Sequence, residues 1–140
     1  MWTAPTPDLV DGPVTGADRP ILEGFLTWQR TTLLNICAGL SGEQLAARPL
    51  ASSNLSLLGL IRHLAKVERI WFRQRAAGEP VEPMYDPSGG KDSDFDDIDP
   101  TEAEVDSSDC TTNGAARTRR SPAWRLTTPS TSVARSSRYA

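Results

Sequence analysis

Leu57-Leu58-Gly59-Leu60-Ile61-Arg62-His63-Leu64-Ala65-Lys66-Val67-Glu68-Arg69-Ile70-Trp71-Phe72 is the most strongly patterned run in this sequence of 140 residues. At about 100° per residue, with Leu57 at zero, Leu60, Ile61, Leu64, Ala65, Val67, Trp71 and Phe72 fall in one arc from about 280° through zero to about 80°. Arg62, Lys66, Arg69 and Arg73 gather opposite, at about 120–180°. The pattern predicts an amphipathic helix from Ser56 to Ala77, opened after Ser52-Ser53-Asn54 and closed by Gly78 and Pro80. Two residues do not fit it. Glu68 lies near 20°, inside the apolar stripe, where a carboxylate is costly unless paired or hydrogen-bonded. His63 lies near 240°, on a border between the stripes.

Towards the N-terminus, Leu22, Phe25, Leu26, Leu33, Ile36, Cys37 and Leu40 recur at steps of three and four, which predicts a first helix of about 18 residues. Asp18 is expected to cap it, Pro20 suits its first turn, and Gly39 is placed to supply the left-handed conformation after its end. Ser41-Gly42-Glu43-Gln44 reads as a capping box opening a short helix that Pro49 must stop. Residues 1–17, with Pro5, Pro7, Gly12, Pro13 and Gly16, read as an extended lead-in that drapes over the core through Leu9 and Val10. Towards the C-terminus, Tyr85 to Asp106 carries nine Asp or Glu against the single Lys91. Asp99-Pro100-Thr101-Glu102 announces a further helix, with Asp99 as N-cap and Pro100 at the first helical position. After Asp106 the run from Ser107 to Gly114 consists of poor helix formers with no apolar period, so this helix is expected to remain a stub.

The formal net charge of −3 conceals a reversal. Residues 1–106 hold 17 acidic and 9 basic side chains, whereas residues 107–140 hold 1 and 6. The last 34 residues contain 13 Ser or Thr, with Trp124, Leu126, Val133 and Tyr139 as their only large apolar groups. Burial on that scale does not offset the entropy of ordering, and a disordered tail is expected. The remainder suffices for one small domain. Met1-Trp2-Thr3-Ala4-Pro5 lacks a basic segment followed by an apolar one, and no run approaches ~18 apolar residues, so a cytoplasmic protein without a membrane span is expected. Cys37 and Cys110, 73 positions apart, form neither a CxxC motif nor a secreted-type framework, and both are expected as free thiols.

His63 is the only histidine. A catalytic zinc site needs several convergent His, Cys or carboxylate groups, and composition alone favours a border histidine bonded to a neighbour over an intact metal centre. Asp92, Asp94 and Asp96 imitate the first ligand positions of a calcium loop, but Asp97 stands where Gly is required and Ala103 where a bidentate Glu belongs, so a solvated acidic loop is expected instead. Arg117, Arg119, Arg120 and Arg125 support at most weak, salt-dependent contact with nucleic acid, which is not expected as a partner. There is no phosphate-cradling Gly loop, no GxSxG and no paired-carboxylate signature.

The run from Leu57 to Phe72 resembles the second helix of the DinB-like superfamily, particularly its actinobacterial branch related to mycothiol-dependent enzymes. Leu22-Glu23-Gly24-Phe25-Leu26-Thr27-Trp28-Gln29-Arg30, Gly39-Leu40-Ser41-Gly42-Glu43-Gln44-Leu45 and Asp94-Phe95-Asp96-Asp97-Ile98-Asp99-Pro100 agree in order and spacing. The resemblance covers residues 19–106. It implies an all-α, up-and-down four-helix bundle with a three-histidine site for a divalent metal, zinc or nickel, used for thiol transfer or hydrolase-like chemistry. His63 matches the ligand of the second helix; the other two ligands have no counterpart. The expected organisation is a lead-in (1–17), an incomplete bundle (18–106) of two long helices, a short helix and a stub of a third, and a tail (107–140). Such a bundle is expected to be inactive and to self-associate through uncovered apolar helix faces.

A shifted reading frame gives the tail one cause. If each codon takes the third base of one residue and the first two of the next, G/C-biased codon choices read Cys110 to Ala116 as LHDEWRR, a family-like continuation of the third helix. Sequencing the coding DNA tests this. With an indel between about Glu104 and Asp109, the alternative frame continues past Ala140 into an apolar helix bearing two histidines at helical spacing; a frame full of stops leaves the tail natural.

Overall fold

The computed structural model describes residues 1–85 and 90–120, the last nine of these by their backbone alone. Helix α1 spans Asp18–Cys37, α2 Gly42–Ala46 and α3 Leu57–Glu68. A π-helical segment, Arg69–Ala76, continues α3 without a break. After the short α4 (Ser93–Asp96), a 3₁₀ turn at Pro100–Glu102 leads into α5, Ala103–Arg120. The described residues are all-α, as the sequence predicts. None of their helices is long and apolar enough to cross a membrane.

The ends of these elements follow the local chemistry. Ser41 Oγ accepts from the Gln44 N–H and the Gln44 side chain accepts from the Ser41 N–H, completing the predicted capping box. Ser56 Oγ caps α3 through the Gly59 N–H at 3.0 Å, and Asp99 Oδ1 accepts from the Thr101 N–H at 2.8 Å with Pro100 at the first position. Gly39 takes φ +79°, which lets the chain leave α1 and return along the lead-in. Asp18 is not the cap: Ala17 holds that place without a side-chain bond, and Asp18 lies in the first turn, where its charge still complements the helix N-terminus. The lead-in is likewise fastened elsewhere than expected. Leu9 and Val10 are exposed, while Ala4 is buried, donates to the Leu40 carbonyl and accepts from the Gly39 N–H.

α3 is central and packs against α2, α4 and α5. Its buried face consists of Leu58, Gly59, Ile61, Arg62 and Ala65, centred about 110°, nearly a third of a turn, from the stripe that hydropathy selects. The displacement has a steric cause. Gly59 and Ala65 let neighbouring elements come close, and a Cβ at Gly59 would lie 2.8 Å from Phe95 Cδ1. The larger Leu64 and Trp71 therefore stay exposed, and Arg62, expected opposite the core, is 4% exposed. Beyond Glu68 the backbone bonds lengthen to five residues, as in Ala77 N–H to the Phe72 carbonyl. Each residue then turns less than in an α-helix, so the predicted core position of Trp71 fails; the ring lies under the Arg75 guanidinium, 4.6 Å away.

Glu68, the misfit of the stripe, does find a partner. Arg30 of α1 grips it with two parallel bonds, Nε to Oε1 at 2.7 Å and Nη2 to Oε2 at 2.8 Å. Beside the pair lie Cys37 and Cys110, both buried free thiols as expected, and burial pushes the Cys110 thiol up to about 11. The expected stop after Asp106 is overturned, since α5 continues to Arg120. Ala103, Asp106, Ser107 and Cys110 are buried at steps of three, one and three, an inward face made of small side chains that hydropathy alone does not reveal. Packing against α3 and α1 outweighs the weak propensity of this run. The predicted tail from residue 121 onwards lies outside the described residues.

Arg62 joins the two halves of the domain. Its guanidinium donates to the Asp97 carbonyl, lies 4.2 Å from the Tyr85 ring centre and faces Asp106 Oδ2 at 4.0 Å, beyond hydrogen-bond reach. Burial pushes the Asp106 carboxyl up to about 6, with Arg62 opposing the rise and Glu102 and Asp109 adding to it. Folded Asp106 therefore keeps its proton at a pH where an unfolded aspartate, near 3.9, has lost it. Between about pH 4 and pH 6 the folded state binds more protons, and stability falls as pH rises, by roughly 2–3 kcal/mol. Urea unfolding at intervals across that window should show the decline, and Asp106→Asn should flatten it; an unchanged slope in the variant would assign the decline to another group.

Candidate functional site around His63

His63 and Lys66 are neighbours on α3, three residues apart and so on adjoining positions of one face. Opposite them α4 brings Asp94, whose side chain is 1% exposed. His63 Nδ1 lies 2.6 Å from Asp94 Oδ2, and Lys66 Nζ donates to Asp94 Oδ1 at 2.8 Å. Lys66 also donates to the Lys91 carbonyl at 3.1 Å, which holds the start of the turn before α4. The Phe95 ring, seated over Gly59, lies 5.0 Å from the imidazole with a 32° tilt between planes. α4 itself is fixed by further bonds, from Arg48 to the Phe95 carbonyl and from Asn54 to Asp96 Oδ1.

Burial would raise the Asp94 carboxyl, but the hydrogen bonds from Lys66 and His63, one from its own backbone N–H and the Lys66 charge outweigh it and hold the group below the ordinary range. A carboxylate so deeply placed is tolerable because both oxygens are bonded to donors. The expectation of a solvated acidic loop holds for Asp92 and Asp96, which are exposed, and is corrected at Asp94, which is buried with Ser93 and committed to His63 and Lys66. The signal that could have found it is Phe95. An aromatic ring inside an acidic run must be covered, and covering it carries its neighbour inward.

His63 keeps 42% of its side chain exposed. Among the described residues no three His, Cys, Asp or Glu side chains converge as a metal site would require. Cys37 and Cys110 belong to the buried α1/α5 contact, and Glu68 is held by Arg30. These residues do not fit the three-ligand centre that the DinB resemblance implies; His63 is the one residue that the resemblance matches to a ligand.

Comparison with known proteins agrees with the helical fold and with the resemblance. A family model described as Mycothiol-S-transferase matches residues 21–133, from the first turn of α1 into the basic tail. No curated protein and no solved structure matches the chain. Because the match covers most of the sequence and includes the segments carrying His63, Lys66 and Asp94, the chain belongs to the mycothiol S-transferase family of DinB-like proteins.

Proposed function

We propose that this chain keeps the helical scaffold and one metal-binding histidine of a mycothiol S-transferase, and does not by itself assemble the catalytic metal centre. The observation that carries this reading is compositional: His63 is the sole histidine among 140 residues, against the three-histidine site implied by the DinB resemblance. Family chemistry would be metal-dependent thiol transfer or hydrolase-like, in the cytoplasm, with zinc or nickel as the ion. One imidazole offers too little to retain such an ion against water and competing ligands. A shifted frame in residues 107–140 belongs to the same proposal and is supported by the charge reversal. The family match running to residue 133 and the continuation of α5 to Arg120 weigh on the other side, for a natural tail.

A second reading, a non-enzymatic helical module that associates with itself, is favoured by the outer face of α1. Leu22, Phe25 and Ile36 fall within about 60° of one another around that helix, and all three are exposed, as are Trp28, Leu64 and Trp71. An exposed apolar stripe of this kind favours association in water.

Two measurements test these readings. Elemental analysis of the protein purified from zinc- and nickel-supplemented cultures should find well below one equivalent of metal, and assay with mycothiol and an electrophilic acceptor should find no S-transfer; one equivalent of metal, lost in His63→Ala, would overturn the first reading. Sedimentation velocity at micromolar concentration should show concentration-dependent species that Phe25→Glu disperses. A compact monomer at all concentrations would remove the second.

A further inference from the structure

The contact between His63 and Asp94 decides more than the position of a loop. Asp94 Oδ1 is taken by the Lys66 ammonium at 2.8 Å, so the other oxygen, Oδ2, is the one facing the imidazole. At 2.6 Å, Nδ1 and Oδ2 must share a proton, because two lone pairs at that distance repel. With an ammonium on its other oxygen and 1% exposure, the Asp94 carboxylate is the acceptor and Nδ1 the donor. Phe95 lies against the ring, and the bonds from Arg48 and Asn54 hold α4, which carries both Phe95 and Asp94. Nε2 makes no hydrogen bond among the described residues, and the partly exposed ring leaves it open to solvent.

We infer that Asp94 is the positioning residue of His63: it holds the imidazole proton on Nδ1 and leaves the Nε2 lone pair as the ring's proton acceptor. Lys66 sets the direction of this arrangement by claiming Oδ1. The inference rests on the assignment of His63 as the functional residue, but it concerns the state of the ring and not the completeness of a metal centre. A carboxylate bonded to one ring nitrogen fixes the tautomer and the orientation of the imidazole, and so decides which nitrogen presents its lone pair.

The arrangement makes an unusual demand on an isosteric variant. In Asp94→Asn, Lys66 still takes the side-chain oxygen, so the amide NH₂ faces Nδ1. Nδ1 must then accept, the proton moves to Nε2, and the lone pair that faced solvent is lost. Nitrogen-15 NMR of the full, metal-free chain at a pH where His63 is neutral reads the tautomer directly, since His63 gives the only imidazole signals. Wild-type protein should show a pyrrole-type Nδ1 and a pyridine-type Nε2, Asp94→Asn the reverse, and Lys66→Met the wild-type pattern. A protonated Nε2 in the wild type, or the same tautomer in wild type and Asp94→Asn, overturns the inference, and the wild-type spectrum decides even where a variant does not fold. Failure of the proposed function reads differently: tight stoichiometric zinc in the wild type leaves the tautomer result standing.

Discussion

The guanidinium of Arg62 is the constraint around which the second half of the domain is arranged. It is buried, it sits on the central helix, and it draws to itself the Asp97 carbonyl, the Tyr85 ring and the Asp106 carboxyl. A charge in that position costs several kcal/mol in lost hydration unless other groups replace the water. The acidic loop and α5 are the groups that do so, and each is placed by the need. Arg62 Nε and Asp106 Oδ2 still form no hydrogen bond. The pair is therefore better understood as a device of registry than as a source of stability. It specifies which turn of α5 lies against which turn of α3, and the neighbouring residue, His63, inherits its position from that alignment.

Much of the fold was legible in local chemistry and little of it in hydropathy. Ser41 with Gln44, Asp99 with Pro100, Gly39 and Gly78 each mark a terminus by a mechanism that acts within a few residues, and the structure ends its helices there. The facing of α3 was misread because close helix packing selects for small side chains as well as apolar ones. Gly59 and Ala65 define its contact surface, and they carry almost no weight in a hydrophobic stripe. The same blindness hid α5, whose inward face is Ala103, Asp106, Ser107 and Cys110. Helix propensity gave a stop; three-dimensional packing gave a helix of 18 residues.

The site shows a parallel division. His63 stood out because it is unique and because its run resembles a family helix; Glu68 stood out as a charge in the wrong place and was correctly expected to need a partner. Asp94 did not stand out, since one aspartate among many in an acidic stretch has no distinguishing spacing. What sets it apart is tertiary: 31 residues separate it from His63 and 28 from Lys66, and only the folded loop brings them together. Membership of the mycothiol S-transferase family gives this arrangement a context.

The π-helical segment from Arg69 to Ala76 has a consequence for the length of the chain that follows. Eight residues of α-helix advance about 12 Å along the axis; a wider, flatter π-turn spends the same residues on less travel. The far end of the central rod is thereby drawn back towards its own middle. Gly78, at φ +65°, then turns the chain, with prolines at 80 and 83 following. The return of the chain is gathered in against the same segment: Arg69 Nε donates to the Glu82 carbonyl at 3.1 Å and Arg73 Nε to Glu79 Oε2 at 2.9 Å, so the flattened rod serves as the clasp for the chain that leaves it.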